Sequence, residues 1–192
     1  MKVYKIDEDA LELPKLILKN IKASEDLGLL KCVQCGMCTS VCPAAQHCDY
    51  NPRDMVEKVL ENDESIISDD KIWNCFYCYT CHSICPVGNS PCEVNQILRQ
   101  IAIDRGIANE HVGAFASYGE TFLEMGIGGM PKTFFMTLHE DIEGWLDFKG
   151  ELDQIREDLG LGPIKMPQES IDEVNKLLKK AKFDKRIKKL KE

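Results

Sequence analysis

The stretch CVQCGMCTSVCP, residues 32–43, decides the fold because it places four cysteines and a proline within twelve positions. A second stretch, CFYCYTCHSICP at residues 75–86, repeats this spacing with almost none of the same intervening residues. Three cysteines spaced CxxCxxC, followed after three more residues by a fourth cysteine and a proline, form the bacterial-type iron-sulfur signature. These two stretches, called here the first run and the second run, therefore predict two [4Fe-4S] clusters.

The signature also predicts which cysteine binds which cluster. In two-cluster proteins of this kind, the fourth cysteine of each run binds the other cluster. The first cluster would then be held by Cys32, Cys35, Cys38 and Cys85, and the second by Cys42, Cys75, Cys78 and Cys81. Crossed ligation would tie the two runs together and keep the clusters close, as rapid electron transfer between them requires.

The ten cysteines raise three alternatives. Structural zinc uses two CxxC pairs as its four ligands, and two runs of four cysteines with a CP ending do not match this pattern. Disulfides belong to secreted proteins, whereas the first fifteen residues, MKVYKIDEDALELPK, show neither the apolar core nor the cleavage site of a signal peptide. A thioredoxin-like CxxC needs a βαβ setting that the sequence does not predict. No apolar run approaches the roughly 20 residues of a membrane span, so we expect a cytoplasmic protein with reduced, metal-bound cysteines.

Two cysteines and two histidines near the runs fall outside the signature. Because free cysteine is commonly buried, Cys48 and Cys92 are expected to be small buried side chains; the alternative is a ligand to a cluster or to a centre shared with a partner. The spacing of His47 and His82 does not match a Rieske centre. We expect these histidines to be exposed, or to contact the ligands without binding a cluster themselves.

Aromatic residues distinguish the second run from the first. Trp73, Phe76, Tyr77 and Tyr79 surround it, whereas the first run carries none. These side chains either pack in a core or against a partner, or they exclude water from the second cluster. The second hypothesis would separate the potentials of the two clusters, because solvent exposure is one of the factors that set a cluster potential.

Apolar residues at helical spacing predict an all-α fold in which a helix follows each run. Asn51-Pro52 and Ser90-Pro91 are helix-start signals, with Asn or Ser as the N-cap and Pro at the first helical position. Gly106 is the expected end of the second of these helices. The expected buried faces are Met55, Val56, Val59 and Leu60 in one helix and Val94, Ile97, Leu98 and Ile101 in the other.

Further helices are predicted on both sides of this pair. Leu16, Ile17, Leu18 and Ile21 suggest a short helix ahead of the first run, and Ser170 with Glu173 forms a capping box in front of a last amphipathic helix. Between them we predict helices over 109–124 and 134–159, separated by the breaker GIGGMP at 126–131 and ended by Gly160, Gly162 and Pro163. We therefore divide the chain into an N-terminal segment (1–24), a domain with both runs (25–106) and a helical extension (107–192).

The charge is unevenly distributed. The chain carries a net charge of −8, which argues against nucleic acid as the main partner. Residues 176–192, in contrast, hold nine Lys and Arg against Asp184 and Glu192, a net charge of +7. On an acidic protein such a basic helix is a solvated face or an arm that docks a partner protein.

The sequence shows no substrate site. GIGG at 126–129 lacks the spacing and the setting of a dinucleotide fingerprint, and no pairing of a nucleophile with a base stands out. We expect no catalytic residue and no flavin or nucleotide site. A cluster with four protein thiolates leaves no iron open, so both clusters are expected to act as relays.

KCVQCGMCTSVCP (31–43) and WNCFYCYTCHSICP (73–86), with a helix between them, resemble the iron-sulfur C subunit of the heterodisulfide reductases of methanogenic archaea. The resemblance implies an α-helical ferredoxin domain with two [4Fe-4S] clusters and a C-terminal helical extension. It also implies a non-catalytic electron-transfer subunit of a soluble oxidoreductase complex. This subunit would relay electrons from a flavin-containing A subunit, where electron bifurcation occurs, to a B subunit that reduces the CoM-S-S-CoB heterodisulfide in methanogenesis. A hydrogenase or formate dehydrogenase would associate indirectly.

The double motif also occurs in the iron-sulfur subunits of succinate dehydrogenase, fumarate reductase and glycolate oxidase. An iron-sulfur subunit of another oxidoreductase, or a free-standing ferredoxin-like carrier, is therefore the alternative. A relative of succinate dehydrogenase would need a [2Fe-2S] domain ahead of the motifs. The 31 residues before Cys32 contain no cysteine, so we do not expect that relationship.

Overall fold

The fold is helical throughout the part of the chain that the computed structural model describes, residues 11–107, 109–128, 142–162 and 165–191. These ranges contain no strand, which confirms the all-α prediction for them. The chain divides into two compact units, Met1–Ile107 and Ala108–Glu192. Within the described ranges, no helix combines the length and the apolar character that crossing a membrane would require.

The first unit contains both cysteine runs. Its α-helices are α1 (Glu12–Leu18), α2 (Met37–Ser40), α3 (Pro52–Leu60), α4 (Thr80–Ser83) and α5 (Pro91–Arg105). Short 3₁₀ helices lie between them at Leu29–Lys31, Ala44–Gln46, Glu64–Ser68 and Asp70–Asn74.

The core of this unit lies where α3 and α5 pack against each other and α1 packs against both. The predicted apolar faces are confirmed except that Leu60 is only half-buried; the buried members are Met55, Val56, Val59, Val94, Ile97, Leu98 and Ile101. The helix predicted ahead of the first run is present as α1, but it ends at Leu18, so Ile21 lies beyond it with 96% of its surface exposed. The inclusion of Ile21 in this helix was wrong.

The two helix-start signals differ in how they are built. Asn51 caps α3, since its Oδ1 accepts the backbone N–H groups of Arg53 at 3.0 Å and Asp54 at 3.3 Å. Helix α5 begins at Pro91 as predicted, but the side chain of Ser90 makes no capping bond. Its hydroxyl lies instead 3.3 Å from the sulfur of Cys92.

The second unit contains α6 (Asn109–Met125), α7 (Ile142–Asp158), α8 (Gln168–Lys180) and α9 (Phe183–Lys191). Helix α6 packs against α8 and α9, which also pack against each other. The helix predicted over 109–124 is confirmed. The helix predicted over 134–159 is confirmed from Ile142 onward; residues 134–141 lie outside the described residues. Gly160 and Gly162 have positive φ and end α7.

The prediction for the C-terminal helix was wrong in three respects. Pro167 opens α8, so Ser170 lies inside its first turn and the capping box does not form. Leu177, expected on the apolar face of this helix, is exposed, whereas Ile171 is buried. The chain also breaks at Lys182, whose φ is +57°, so the basic residues lie on two helices instead of one.

Candidate metal centres

The two runs fold with the same backbone. Gln34 and Tyr77, each two residues after the first cysteine of its run, have φ of +55° and +56°. Gly36 and Tyr79, each directly after the second cysteine of its run, have φ of +81° and +61° and open the one-turn helices α2 and α4. Backbones that alternate between right- and left-handed conformations turn successive N–H groups toward one point and favour anionic ligands such as iron-sulfur clusters. In the second run, the Tyr77 N–H donates to the sulfur of Cys75 at 3.4 Å.

The first cavity lies between the first run and the end of the second. It is lined by Cys32, Cys35, Cys38 and Cys85. Three of these cysteines come from the first run, and the fourth comes from the second. The sulfur of Cys85 accepts the backbone N–H of Asn89 at 3.2 Å, which fixes this thiol at the wall of the cavity.

The second cavity has the reverse composition. It is lined by Cys75, Cys78 and Cys81 of the second run together with Cys42 of the first. Helices α2 and α4 pack against each other, so each carries its run from one cavity to the other. The structure therefore brings together all eight predicted ligands, in the two sets of four that the signature predicts.

The donor sets fit cubane clusters. A [4Fe-4S] cluster takes four thiolates, each on a different iron, so its ligands stand around a volume. In the part of the chain that the structure describes, no three His, Cys, Asp or Glu side chains converge as they would around a single ion. Gln34 adds a second indication at the first cavity: its Oε1 and Nε2 are buried without a partner among the described residues. Sulfur atoms of a bound cluster would supply the missing acceptor for this amide.

The two cavities are fixed to the neighbouring helices by side-chain hydrogen bonds. Thr39, in α2, donates its hydroxyl to Oδ1 of Asn51 at 2.6 Å, which joins the first run to the start of α3. Arg99 of α5 donates to the carbonyls of Ile72 at 2.9 Å and Cys75 at 2.8 Å, which joins the second run to α5. Each run is therefore held at the helix that borders it.

The ligand candidates differ in exposure. Cys35 and Cys78 are exposed, whereas Cys42 and Cys81 are buried. Cys78 is exposed although aromatic side chains flank it, and Phe76 has 68% of its surface exposed. The exclusion of water from the second cluster by the aromatic side chains stays a prediction.

Burial and hydrogen bonding act on the thiols in opposite directions. Burial raises the pKa of Cys38 and that of Cys75. A hydrogen bond with the Thr80 hydroxyl, 3.3 Å away, lowers the pKa of the exposed Cys78. A cluster binds thiolates only, so its iron must offset the cost that burial places on the charged forms of Cys38 and Cys75.

Cys92 is a fifth thiol at the second cavity. It is buried with 1% of its surface exposed, at the second position of α5. A hydrogen bond from Cys81 lowers the pKa of Cys92, and the same bond raises the pKa of Cys81. A ligating Cys81 must be a thiolate, so cluster binding would make Cys92 the donor.

The remaining predictions near the runs have mixed outcomes. The expected burial of Cys92 is confirmed, but that of Cys48 was wrong, because Cys48 is exposed and only donates to the carbonyl of Ala44 at 3.1 Å. His47 and His82 are exposed, as predicted.

Tyr50 and Arg99 also border the second centre, and both lie outside the cysteine runs. Tyr50 lines the second cavity, and burial is the main cause of its raised pKa. Arg99 lies over the ring of Trp73, 5.3 Å from its centroid, within the range of a cation–π contact. Their distance from the runs along the chain left no signal by which sequence reasoning could have found them.

Comparison with protein families places residues 28–89 in a family described as the 4Fe-4S dicluster domain. These residues span both runs. The comparison agrees with the iron-sulfur chemistry that the spacing predicts.

Three curated proteins of methanogens are similar to the chain. The C subunit of the ferredoxin:CoB-CoM heterodisulfide reductase of Methanosarcina acetivorans is 46% identical over 144 residues, which cover 74% of this chain but 58% of that protein. Its namesake from Methanosarcina mazei is 34% identical over 88% of this chain and 94% of its own length. The second iron-sulfur C subunit of the CoB-CoM heterodisulfide reductase of Methanocaldococcus jannaschii is 31% identical over 97% of this chain and 94% of its own length.

Proposed function

The chain belongs to the family of heterodisulfide reductase C subunits, and from this premise we propose that it relays electrons through two [4Fe-4S] clusters within a heterodisulfide reductase complex. The observation that carries the proposal is the pair of cavities, each lined by three cysteines of one run and the fourth cysteine of the other. When bound, a [4Fe-4S] cluster takes up and releases one electron. The chain itself supplies the ligands, their spacing and the surfaces at which other subunits approach.

In this proposal the ligation is crossed. Cys32, Cys35, Cys38 and Cys85 hold the first cluster, and Cys42, Cys75, Cys78 and Cys81 hold the second. Cys38 and Cys42 stand four residues apart at the one-turn helix α2, or roughly 6 Å along a helical chain at 1.5 Å per residue. The same separation holds for the third and fourth cysteines of the second run. Two centres joined by such short segments lie close to each other.

The exposed cysteines indicate where electrons enter and leave. Cys35 lies at the rim of the first cavity and Cys78 at the rim of the second, and both are exposed. Exposed apolar side chains flank both rims, Val33 and Met37 at the first and Phe76 at the second. Apolar surface around a redox site suits a protein partner, so each rim is a docking surface for another subunit in this proposal.

We propose that the partners are a flavin-containing A subunit, where bifurcation occurs, and a B subunit that reduces the CoM-S-S-CoB heterodisulfide. A hydrogenase or formate dehydrogenase would then associate indirectly. The names of both Methanosarcina relatives place ferredoxin before the heterodisulfide, which supports an electron-delivering partner as part of the proposal. The chain would hold no substrate site of its own, and its cysteines suit the reducing conditions of the cytoplasm.

Crossed ligation is tested by exchanging one fourth cysteine at a time. Cys42→Ser is expected to damage the cluster of the second cavity and leave that of the first intact in anaerobic EPR spectra, and Cys85→Ser is expected to do the reverse. Cys48→Ser is the matched control, because Cys48 is exposed and lines neither cavity. Loss of the first cluster in Cys42→Ser would mean that each run binds its own fourth cysteine.

The role within a complex is tested by anaerobic purification of the native protein. We expect about eight irons and eight sulfides per chain and a stoichiometric complex with a flavoprotein and a heterodisulfide-reducing protein. A chain that purifies alone and monodisperse, with its full iron content, would contradict this role.

A further inference from the structure

Tyr50 lies outside the runs and packs against candidate ligands of the second cluster. It lies between the two runs in the sequence, yet it packs in one cluster of buried side chains with Cys42 and Ala44, with Cys75 against that cluster. Only 3% of its surface is exposed. Its ring therefore forms part of the wall of the second cavity, between a cysteine of each run.

The hydroxyl of this ring has a partner in the site. The ring packs against Cys75, and a hydrogen bond with the Cys75 thiol adds to burial in raising the pKa of Tyr50. A buried tyrosine hydroxyl needs such a partner, because an unsatisfied buried hydroxyl is costly. A phenol is protonated at neutral pH, so the hydroxyl is available as a donor.

The surroundings of Cys75 reinforce this arrangement. The sulfur also accepts the backbone N–H of Tyr77 at 3.4 Å, and the carbonyl of Cys75 accepts from Arg99 at 2.8 Å. The positive charge of Arg99 acts on both Cys75 and Tyr50. Cys75 is thus surrounded by donors and by a cation, all of which favour negative charge on its sulfur.

The first cavity is built differently at the matching place. Tyr50 stands two residues before Pro52, the first residue of α3, and the residue two before Pro91 of α5 is Asn89. Asn89 offers its backbone N–H to a sulfur, and its side-chain oxygen accepts the N–H of Ser90 at 2.8 Å. The repeat therefore places a side-chain donor at the second cavity where the first has a backbone donor.

We propose that Tyr50 is a positioning residue for the second cluster: its hydroxyl donates a hydrogen bond to the Cys75 thiolate, orients this ligand and raises the reduction potential of the cluster. The inference rests on the proposed ligation by Cys75. A reduced cluster carries one more negative charge than an oxidised one, and a donor to its thiolate stabilises that added charge. The potential of the second cluster is thereby set apart from that of the first by a residue of neither run.

The test removes the hydroxyl alone. In Tyr50→Phe we expect the full iron content, a lower midpoint potential for the second cluster and an unchanged midpoint for the first, measured by anaerobic redox titration followed by EPR. Resonance Raman spectra should show an Fe–S(Cys) stretch at higher frequency, because a thiolate that loses a hydrogen bond binds its iron more strongly. Tyr118→Phe is the matched control, since Tyr118 belongs to α6 of the second unit and lines neither cavity. It should leave both midpoints where they are.

The outcomes separate this inference from the proposed function. An unchanged second midpoint in Tyr50→Phe, with about eight irons still bound, would overturn the role of Tyr50 and leave the two clusters in place. Loss of iron from both sites would also overturn it, because the hydroxyl would then serve the fold as a whole. Loss of the second cluster alone would support the positioning of Cys75. Failure of the proposed function would show already in the wild type, as an iron content far below eight.

Discussion

At the scale of single residues, two positions in or near the first run connect local packing with the first cavity. One is Gly28, whose N–H donates to the carbonyl of Gly88 at 3.0 Å. A methyl group added there would meet the carbonyl oxygen of Val87 at 2.3 Å and the nitrogen of Asn89 at 2.9 Å. Because Val87 and Asn89 line the first cavity, this approach connects the packing of Gly28 with the shape of the site.

We therefore predict that Gly28→Ala damages the first centre selectively. The backbone must shift, and overpacking of this kind costs about 1–3 kcal/mol of folding free energy. Denaturant unfolding should show the loss of stability, and EPR should show loss of the first cluster before the second. Gly113→Ala is the control, because its added methyl would meet nothing closer than 3.6 Å. Equal loss of both clusters in Gly28→Ala would contradict the prediction.

The other position is Gln34, whose side-chain amide is buried without a partner among the described residues. A cluster in the first cavity would accept its N–H groups, and a donor to a cluster sulfur raises the reduction potential. We expect Gln34→Leu to lower the midpoint potential of the first cluster in a redox titration and to leave that of the second unchanged. Gln46→Leu makes the same change on an exposed residue and should alter neither midpoint. A first-cluster midpoint equal to that of the wild type would show that the amide does not reach a sulfur.

At the scale of elements, one structural unit occurs twice: a cysteine run that contains a one-turn helix, followed by a longer helix that begins with proline. The two copies have similar backbone conformations, as the matching positive φ angles show, but their side-chain contacts differ. Asn51 caps α3 and also accepts from Thr39, whereas Ser90 makes no cap for α5. The longer helix α5 depends instead on its buried face, which includes Val94 and Ile97.

This difference predicts unequal effects of the two capping positions. Asn51→Ala should lower the free energy of unfolding by about 1 kcal/mol, the usual cost of an N-cap, and should speed the release of iron because Thr39 loses its partner. Ser90→Ala should cost less, since no capping bond is lost. Urea unfolding and iron release to a chelator measure both effects. A larger loss of stability in Ser90→Ala than in Asn51→Ala would contradict this account.

At the scale of the whole molecule, the chain forms two compact units that meet in sequence between Ile107 and Ala108. All ten cysteines lie in the first unit, between Cys32 and Cys92. The hydrophobic core formed by α1, α3 and α5 lies there as well. The basic residues near the C-terminus lie on α8 and α9 of the second unit, and their docking to a partner stays a prediction.

We predict that a chain ending at Ile107 folds and keeps both clusters. The core formed by α1, α3 and α5 and both cysteine runs lie within these residues, so about eight irons per chain should remain, with the EPR spectrum of the full chain measured in parallel. A truncated chain that loses iron, while the full chain retains it under the same conditions, would show that the second unit is needed for the centres.

The sequence by itself determined the helical fold, the repeat and the eight candidate ligands. These follow from local rules: the spacing of cysteines within a run is fixed by one tight turn, and a helix needs only an apolar face and a start signal. The errors also have local causes. Ser170 and Glu173 satisfied the spacing of a capping box, but Pro167 opened the helix earlier.

Only the tertiary structure decided what surrounds each centre. The packing of α2 against α4, and of α3 against α5, brings Cys85 to the first run and Cys42 to the second. The same packing places Tyr50 and Cys92 in the wall of the second cavity and Arg99 against the carbonyl of Cys75. None of these three belongs to a run, and residues far apart in the chain meet only where buried helix faces force them together. The spacing of the cysteines specified the ligands, while the packing of the helices specified their environment.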